Sequence, residues 1–199
     1  MAKSSEPSIR LVVGLGNPGA QYEDTRHNAG FWFVEQLARQ YEATLQPEKK
    51  FFGHTARISV NGEDVRLLNP VTFMNRSGQA VGAIATFFKI QPKSILVVHD
   101  ELDLPAGVGR LKQGGGHGGH NGLRDIIASL GNTRDFLRLR LGIGHPGNSS
   151  EVINYVLTRP SVADRQKIDA VIDEAVRITP EALNGSRSKA VQALHTFSV

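Results

Sequence analysis

The residue pattern predicts a single-domain α/β fold, a three-layer α/β/α sandwich built on a mixed, mostly parallel twisted sheet. Two runs carry most of that prediction: residues 9–15 (IRLVVGL) and 94–99 (SILVVH) hold the unbroken apolar stretches 11–15 and 95–98, as in strands buried on both faces. Amphipathic helical repeats alternate with these strands along the chain. The 199 residues, 40% of them hydrophobic, suffice for one sizeable core, and no linker or internal repeat divides them. We therefore expect residues 1–8 to be a flexible N-terminal extension and residues 9–199 to form one domain.

Taken in order, the strand at 9–15 runs into a turn at Asn17-Pro18-Gly19. Phe31, Val34, Leu37, Ala38 and Tyr41 then repeat at helical spacing, which predicts a helix over 29–41. Residues 55–60 and 65–68 are strand candidates on either side of Asn61-Gly62, a strong hairpin signal. Ser77 is a candidate N-cap for a helix whose buried stripe is Ala80, Val81, Ile84, Phe87 and Phe88. Asp100 falls just past the end of the 94–99 strand, and 108–113 is a further strand candidate.

Residues 123–130 read as a short helix closed by Gly131. In 136–143, Leu137, Leu139, Leu141 and Ile143 share one face and Arg138 and Arg140 the other. Helices are expected at 149–157 and 161–178, the second opened by a Ser161…Asp164 pair at capping-box spacing, and at 180–195 with a break near Asn184-Gly185. In such sheets, sites lie beyond the carboxyl ends of the strands, which gathers Asn17 to His27, Asn75 and Asp100 at one rim.

Composition excludes several classes. The absence of cysteine removes disulfides, thiolate catalysis and Cys-type zinc sites, and fits a reducing cytosol. No apolar run approaches a membrane span, and residues 1–8 lack the apolar block of a signal peptide. The net charge of +4 favours an anionic partner, of which nucleic acid is the commonest.

Gly14-Leu-Gly16-Asn-Pro-Gly19 matches G-x-G-x-x-G, but the expected helix starts about ten residues too late to present its N-terminus to a pyrophosphate. His27, at the mouth of a helix, and Asp100 resemble an Asp–His pair in which a carboxylate orients an imidazole base. No G-x-S-x-G serine accompanies them, so water is the better nucleophile candidate. Asn17, Asn75 and Asn121 read either as turn residues or as neutral amides for an oxyanion. His117-Gly-Gly-His120 with His99 upstream lacks the spacing of a metal site, and a backbone nest for phosphate fits that loop better, with Arg110 and Lys112 just upstream. Arg134, Arg138 and Arg140 form either a basic stripe or an ordinary solvated face.

These blocks together resemble bacterial-type peptidyl-tRNA hydrolase. The match comprises Gly14-Leu-Gly-Asn-Pro-Gly19, Tyr22, Arg26-His-Asn28, Pro70-Val-Thr-Phe-Met-Asn-Arg-Ser-Gly78 and His99-Asp-Glu-Leu-Asp-Leu-Pro105. It continues through the glycine-rich run 114–122 and Arg138-Leu-Arg-Leu-Gly-Ile-Gly-His-Pro-Gly147, in family order over residues 9 to about 195. The resemblance implies an esterase that cleaves peptide from the 3′-terminal ribose of tRNA. His27 would activate water, Asp100 would hold His27, and Asn17 would help distinguish an N-blocked aminoacyl group from a free amine. Asn75 and Asn121 would bind the substrate's 3′ end or position water, with Tyr22, Phe73 and Met74 lining the site. His120 would support the loop carrying Asn121, and Lys112 and Arg140 would grip tRNA phosphates. The family implies a monomer in the cytoplasm with no metal, no cofactor and no membrane partner. Ala106, where many relatives have a second proline, and residues 184–189 depart mildly from its pattern. An RNA-binding module without catalysis and a nucleotide-cofactor enzyme are the competing readings.

Overall fold

The structure, a computed structural model, describes residues 6–199. One seven-stranded sheet forms its middle layer, in the order β2-β3-β4-β1-β5-β7-β6. The strands are β1 (Leu11–Gly14), β2 (Gln46–Glu48), β3 (Gly53–Val60), β4 (Glu63–Pro70), β5 (Ile95–Glu101), β6 (Gly109–Gln113) and β7 (Leu137–Gly142). The four central strands β4, β1, β5 and β7 run parallel, while β2, β3 and β6 join through antiparallel ladders at the edges. The helices are α1 (Ala29–Gln40), α2 (Ser77–Phe88), α3 (Asn121–Ser129), α4 (Val152–Val156), α5 (Val162–Arg177), α6 (Thr179–Leu183) and α7 (Ser188–Thr196).

The apolar runs explain the layering. Successive side chains of a strand point to opposite faces, so a run with no polar residue supplies two cores at once. Val12, Leu96 and Val98 pack with residues of α1, α5, α6 and α7, whereas Leu11, Val13, Ile95 and Val97 pack with residues of α2 and α3. Hydrophobic burial on both faces therefore fixes the register of the central strands, because a one-residue slip would exchange the two sets.

Several local expectations are borne out and several are corrected. Asn61 and Gly62 both have positive φ and form the two-residue turn joining β3 to β4. Ser161 Oγ accepts from the Asp164 N–H at the start of α5. Ser77 is not the N-cap of α2; it is the first helical residue, and its hydroxyl donates to the Met74 carbonyl. Phe87 is not buried but 60% exposed, since it lies beyond the strip that α2 turns toward the sheet. Asp100 belongs to β5 rather than following it, because pairing with β7 carries the ladder through Glu101. β2 was not legible, as Gln-Pro-Glu has neither alternation nor strand propensity. Of the expected extension, residues 1–5 lie outside the described residues; Glu6 and Pro7 are tied to the Arg187 guanidinium.

The G-x-G-x-x-G stretch has a packing explanation. A Cβ on Gly14 would stand 2.4 Å from the Gly30 carbonyl oxygen, and one on Gly30 would stand 2.4 Å from both Leu15 N and Val98 O. A Cβ on Gly16 would enter the Phe31 ring. These glycines let α1 cross the end of β1 at backbone contact, and α1 itself begins only at Ala29. Gly30→Ala is expected to destabilise the protein by about 3 kcal/mol, because backbone on both sides must shift. Urea unfolding of the variant beside the unaltered protein checks this; a loss under about 1 kcal/mol would show that the crossing relaxes freely.

Candidate active site

His27 sits in a single 3-10 turn, Arg26–Asn28, between the polar segment after β1 and the start of α1. The turn is locked from both sides. Asn28, 1% exposed, accepts from the Asn17 backbone N–H through Oδ1 and donates through Nδ2 to the Asn17 carbonyl, each at 2.9 Å. Asn28 thus clamps the Asn17 turn onto the base of α1.

β5 delivers the carboxylate. Asp100 is 3% exposed, and its oxygens lie 3.0 and 2.9 Å from His27 Nδ1. The same carboxylate stands 2.8 Å from His120 Nε2. His120 is also the N-cap of α3, its Nδ1 accepting from the Leu123 N–H, which leaves Nε2 as the protonated nitrogen that donates to Asp100. A carboxylate can only accept, so His27 likewise donates through Nδ1–H and keeps the Nε2 lone pair for the cavity. The sequence paired His27 with Asp100; the structure adds a second imidazole on the same carboxylate.

The electrostatics follow. Burial alone disfavours the Asp100 carboxylate, but the charges and hydrogen bonds of His27 and His120 hold its pKa far below the usual range. Burial likewise lowers His27, yet the Asp100 charge and hydrogen bond more than offset it and leave the imidazole above its ordinary value of 6.5. His99, on the preceding position of β5, is pushed down to about 4 by burial and then by His120, so it stays neutral beside the pair.

A cavity of about 630 Å³ opens over this pair. It is lined by Asn17, His27, Asp100, His120, Asn75 and Asn121, with Phe73 and Met74 on one side and Val152, Ile153, Val156 and Leu157 facing them. Tyr22 is absent from that lining; it lies in the preceding turn, where its carbonyl accepts from the Thr25 hydroxyl. Asn17 Oδ1 accepts from the Met74 N–H at 2.7 Å, which fixes the amide and frees Nδ2 as a donor. Lys112 and Arg140 line an adjoining cavity of about 250 Å³ that shares His99, Glu101, Asp103, His117 and Gly118 with the first. Arg140 donates to Glu101 there at 2.8 Å. A larger recess of about 780 Å³ lies on the other side of Asn17, but none of the three coupled groups His27, Asp100 and His120 reaches it.

Two sequence expectations need correction. Arg138 is not on a solvated face: it is 3% exposed, and its guanidinium donates to the carbonyls of Gly115 and Gly116. The glycine-rich loop also spends N–H groups internally, Gly119 on His117 Nδ1 and His120 on the His117 carbonyl, so it is less an anion nest than a mount for His120 and Asn121. His27, Asp100 and His120 are close enough to one another to hold a cation. Their facing atoms already satisfy one another as two imidazole N–H donors on one carboxylate, an arrangement that needs no metal.

A family model described as peptidyl-tRNA hydrolase matches residues 11–199. The chain belongs to the peptidyl-tRNA hydrolase family. It is 60% identical over 190 residues to peptidyl-tRNA hydrolase of Shewanella halifaxensis, covering 96% of this chain and 98% of the relative. It is 59% identical over 191 residues to that of Haemophilus influenzae, with the same coverage of 96% and 98%. The crystal structure of peptidyl-tRNA hydrolase from Acinetobacter baumannii superposes with a TM-score of 0.93 at 49% identity, covering 98% of each chain. The sequence assigns no role to Asn28, Arg26 or the 152–157 wall. Asn28 had one signal, its adjacency to His27; the wall had none, because its residues are ordinary apolar ones.

Proposed function

We propose that the cavity hydrolyses the ester joining a peptide to the 3′-terminal ribose of tRNA, with His27 as general base. The observation that carries this reading is the donation of His27 Nδ1–H to both Asp100 oxygens, which leaves Nε2 unprotonated and turned to the cavity. Water bound there loses a proton to Nε2 as its oxygen attacks the ester carbonyl, and Asp100 stabilises the imidazolium that forms. The amides of Asn17, Asn75 and Asn121 offer donors for the developing oxyanion and for peptide carbonyls. Collapse of the tetrahedral intermediate breaks the bond to the ribose oxygen, which takes the proton back from His27.

Asn17 supplies a reason for selectivity. Its Oδ1 is committed to Met74 N–H, so it presents only N–H donors. An N-blocked aminoacyl group brings a carbonyl to accept from them, whereas a free α-ammonium brings only further donors. Lys112 and Arg140 support phosphate contacts next to the ester, a contribution that is blind to tRNA sequence. Base, carboxylate and amides all come from one chain, so a monomer suffices.

The test is hydrolysis of N-acetyl-aminoacyl-tRNA beside the free aminoacyl-tRNA, each with and without EDTA. Release from the blocked substrate alone, unaffected by EDTA, is the expected result. Salt-sensitive tRNA binding without ester cleavage would replace the enzyme by a binding module.

A further inference from the structure

We infer that Arg26 is a positioning residue that sets the spacing between the 152–157 wall and His27, and thereby the accommodation of the aminoacyl side chain next to the scissile ester. The inference rests on the hydrolase reading and deepens it.

Arg26 is 9% exposed and has no carboxylate partner among the described residues. A buried, unpaired guanidinium is costly, and core packing alone would favour an apolar side chain. What it touches is the far end of the wall. Its Nη1 donates to the Tyr155 carbonyl at 3.0 Å, the Thr158 carbonyl at 3.3 Å and Thr158 Oγ1 at 2.7 Å. Its backbone N–H donates to the Thr158 carbonyl as well, at 3.1 Å. The guanidinium carbon lies 3.9 Å from the Tyr155 ring centroid, and the Tyr155 hydroxyl in turn donates to the Ile143 carbonyl at the end of β7.

α4 is only five residues long, and Ile153 on it is 75% exposed, so its own packing holds it weakly. Its entry passes through Gly144 and Gly147, both at positive φ. Arg26, the residue immediately before His27, therefore ties the carboxyl end of α4 to the turn that carries His27. The direction of the substrate follows from chemistry. Phosphates belong beside Lys112 and Arg140, which leaves Val152, Ile153, Val156 and Leu157 for the apolar parts of the acyl arm.

The experiment measures steady-state hydrolysis of N-acetyl-phenylalanyl-tRNA and N-acetyl-glycyl-tRNA by the unaltered protein, Arg26→Gln and Arg26→Lys, with a pH–rate profile for each. With Arg26→Gln, KM for the phenylalanyl substrate should rise about tenfold, the scale of losing part of one apolar side chain's contact, and KM for the glycyl substrate less than about twofold. kcat and the pH midpoint should hold, because His27 and Asp100 are untouched, and Arg26→Lys should recover most of the loss. An equal KM rise for both substrates, a displaced pH midpoint, or no change at all overturns the inference. If Arg26→Gln does not fold, Thr158→Val decides, since it removes the 2.7 Å acceptor together with that hydroxyl's own donation to the Tyr155 carbonyl: a rise of about threefold confined to the phenylalanyl substrate supports the inference, and its absence overturns it. Failure of the unaltered protein to hydrolyse either substrate overturns the hydrolase reading itself.

Discussion

His27→Ala lowers kcat for N-acetyl-aminoacyl-tRNA by roughly 10²–10⁴-fold, the range expected when a general base is removed. Affinity for tRNA should stay near that of the unaltered protein, because Lys112 and Arg140, the phosphate contacts we propose, lie in the adjoining cavity and do not depend on the imidazole. The fold is retained too: the turn is held by Asn28 on Asn17 and by Thr25 on Tyr22, not by the ring. Single-turnover hydrolysis with a parallel filter-binding titration checks both halves. Near-normal turnover in the variant would remove His27 from the base's role, and parallel loss of binding would show that the ring contacts tRNA instead.

The second large effect is expected at Asp100. Asp100→Asn should cost on the order of 10⁴-fold in kcat, as when the carboxylate behind the imidazole base of a serine-protease triad becomes an amide. The loss has a specific cause here. Asp100 accepts from two imidazoles, His27 Nδ1–H and His120 Nε2–H, through one buried carboxylate. An amide offers one acceptor oxygen and one donor group, so one of the two N–H groups must face another donor. Either His27 changes tautomer and loses its cavity-facing lone pair, or His120 is displaced from the cap of α3.

The pH profile gives an independent sign. A base works when unprotonated, so the rate falls as pH drops through the His27 pKa, which lies above 6.5 in the folded protein. In Asp100→Asn the charge that raises that pKa is gone, while the burial that lowers it remains. The residual activity should therefore have its acidic limb at lower pH than the unaltered enzyme, although it is far slower. An acidic limb that does not move would remove Asp100 as the cause of the raised pKa.

Much of this was legible in residues. The two apolar runs, Asn61-Gly62, the Ser161…Asp164 pair and the leucine alternation of 137–143 are local patterns with local causes, and each forms the expected element. The family blocks named the site positions, and eight of the expected residues, Asn17, His27, Phe73, Met74, Asn75, Asp100, His120 and Asn121, line one cavity. Phe87 and Ser77 failed because helical spacing does not say where the buried strip ends, or where a 3-10 turn precedes the helix. Arg138 failed because alternation says which face a residue takes, and not whether a loop later covers that face.

Residue type and order thus determined that an imidazole and a carboxylate stand at a strand-end rim, since periodicity and turn chemistry act over neighbouring residues. Tertiary structure alone decided that one carboxylate serves two imidazoles, that the G-x-G stretch is a backbone crossing, and that Arg26 ties the distant end of α4 to the turn carrying His27. The two imidazole contacts span 73 and 20 positions and the Arg26 contacts up to 132. No local pattern encodes contacts at such separations; they exist only once α1, α3 and α4 are packed around the end of β5.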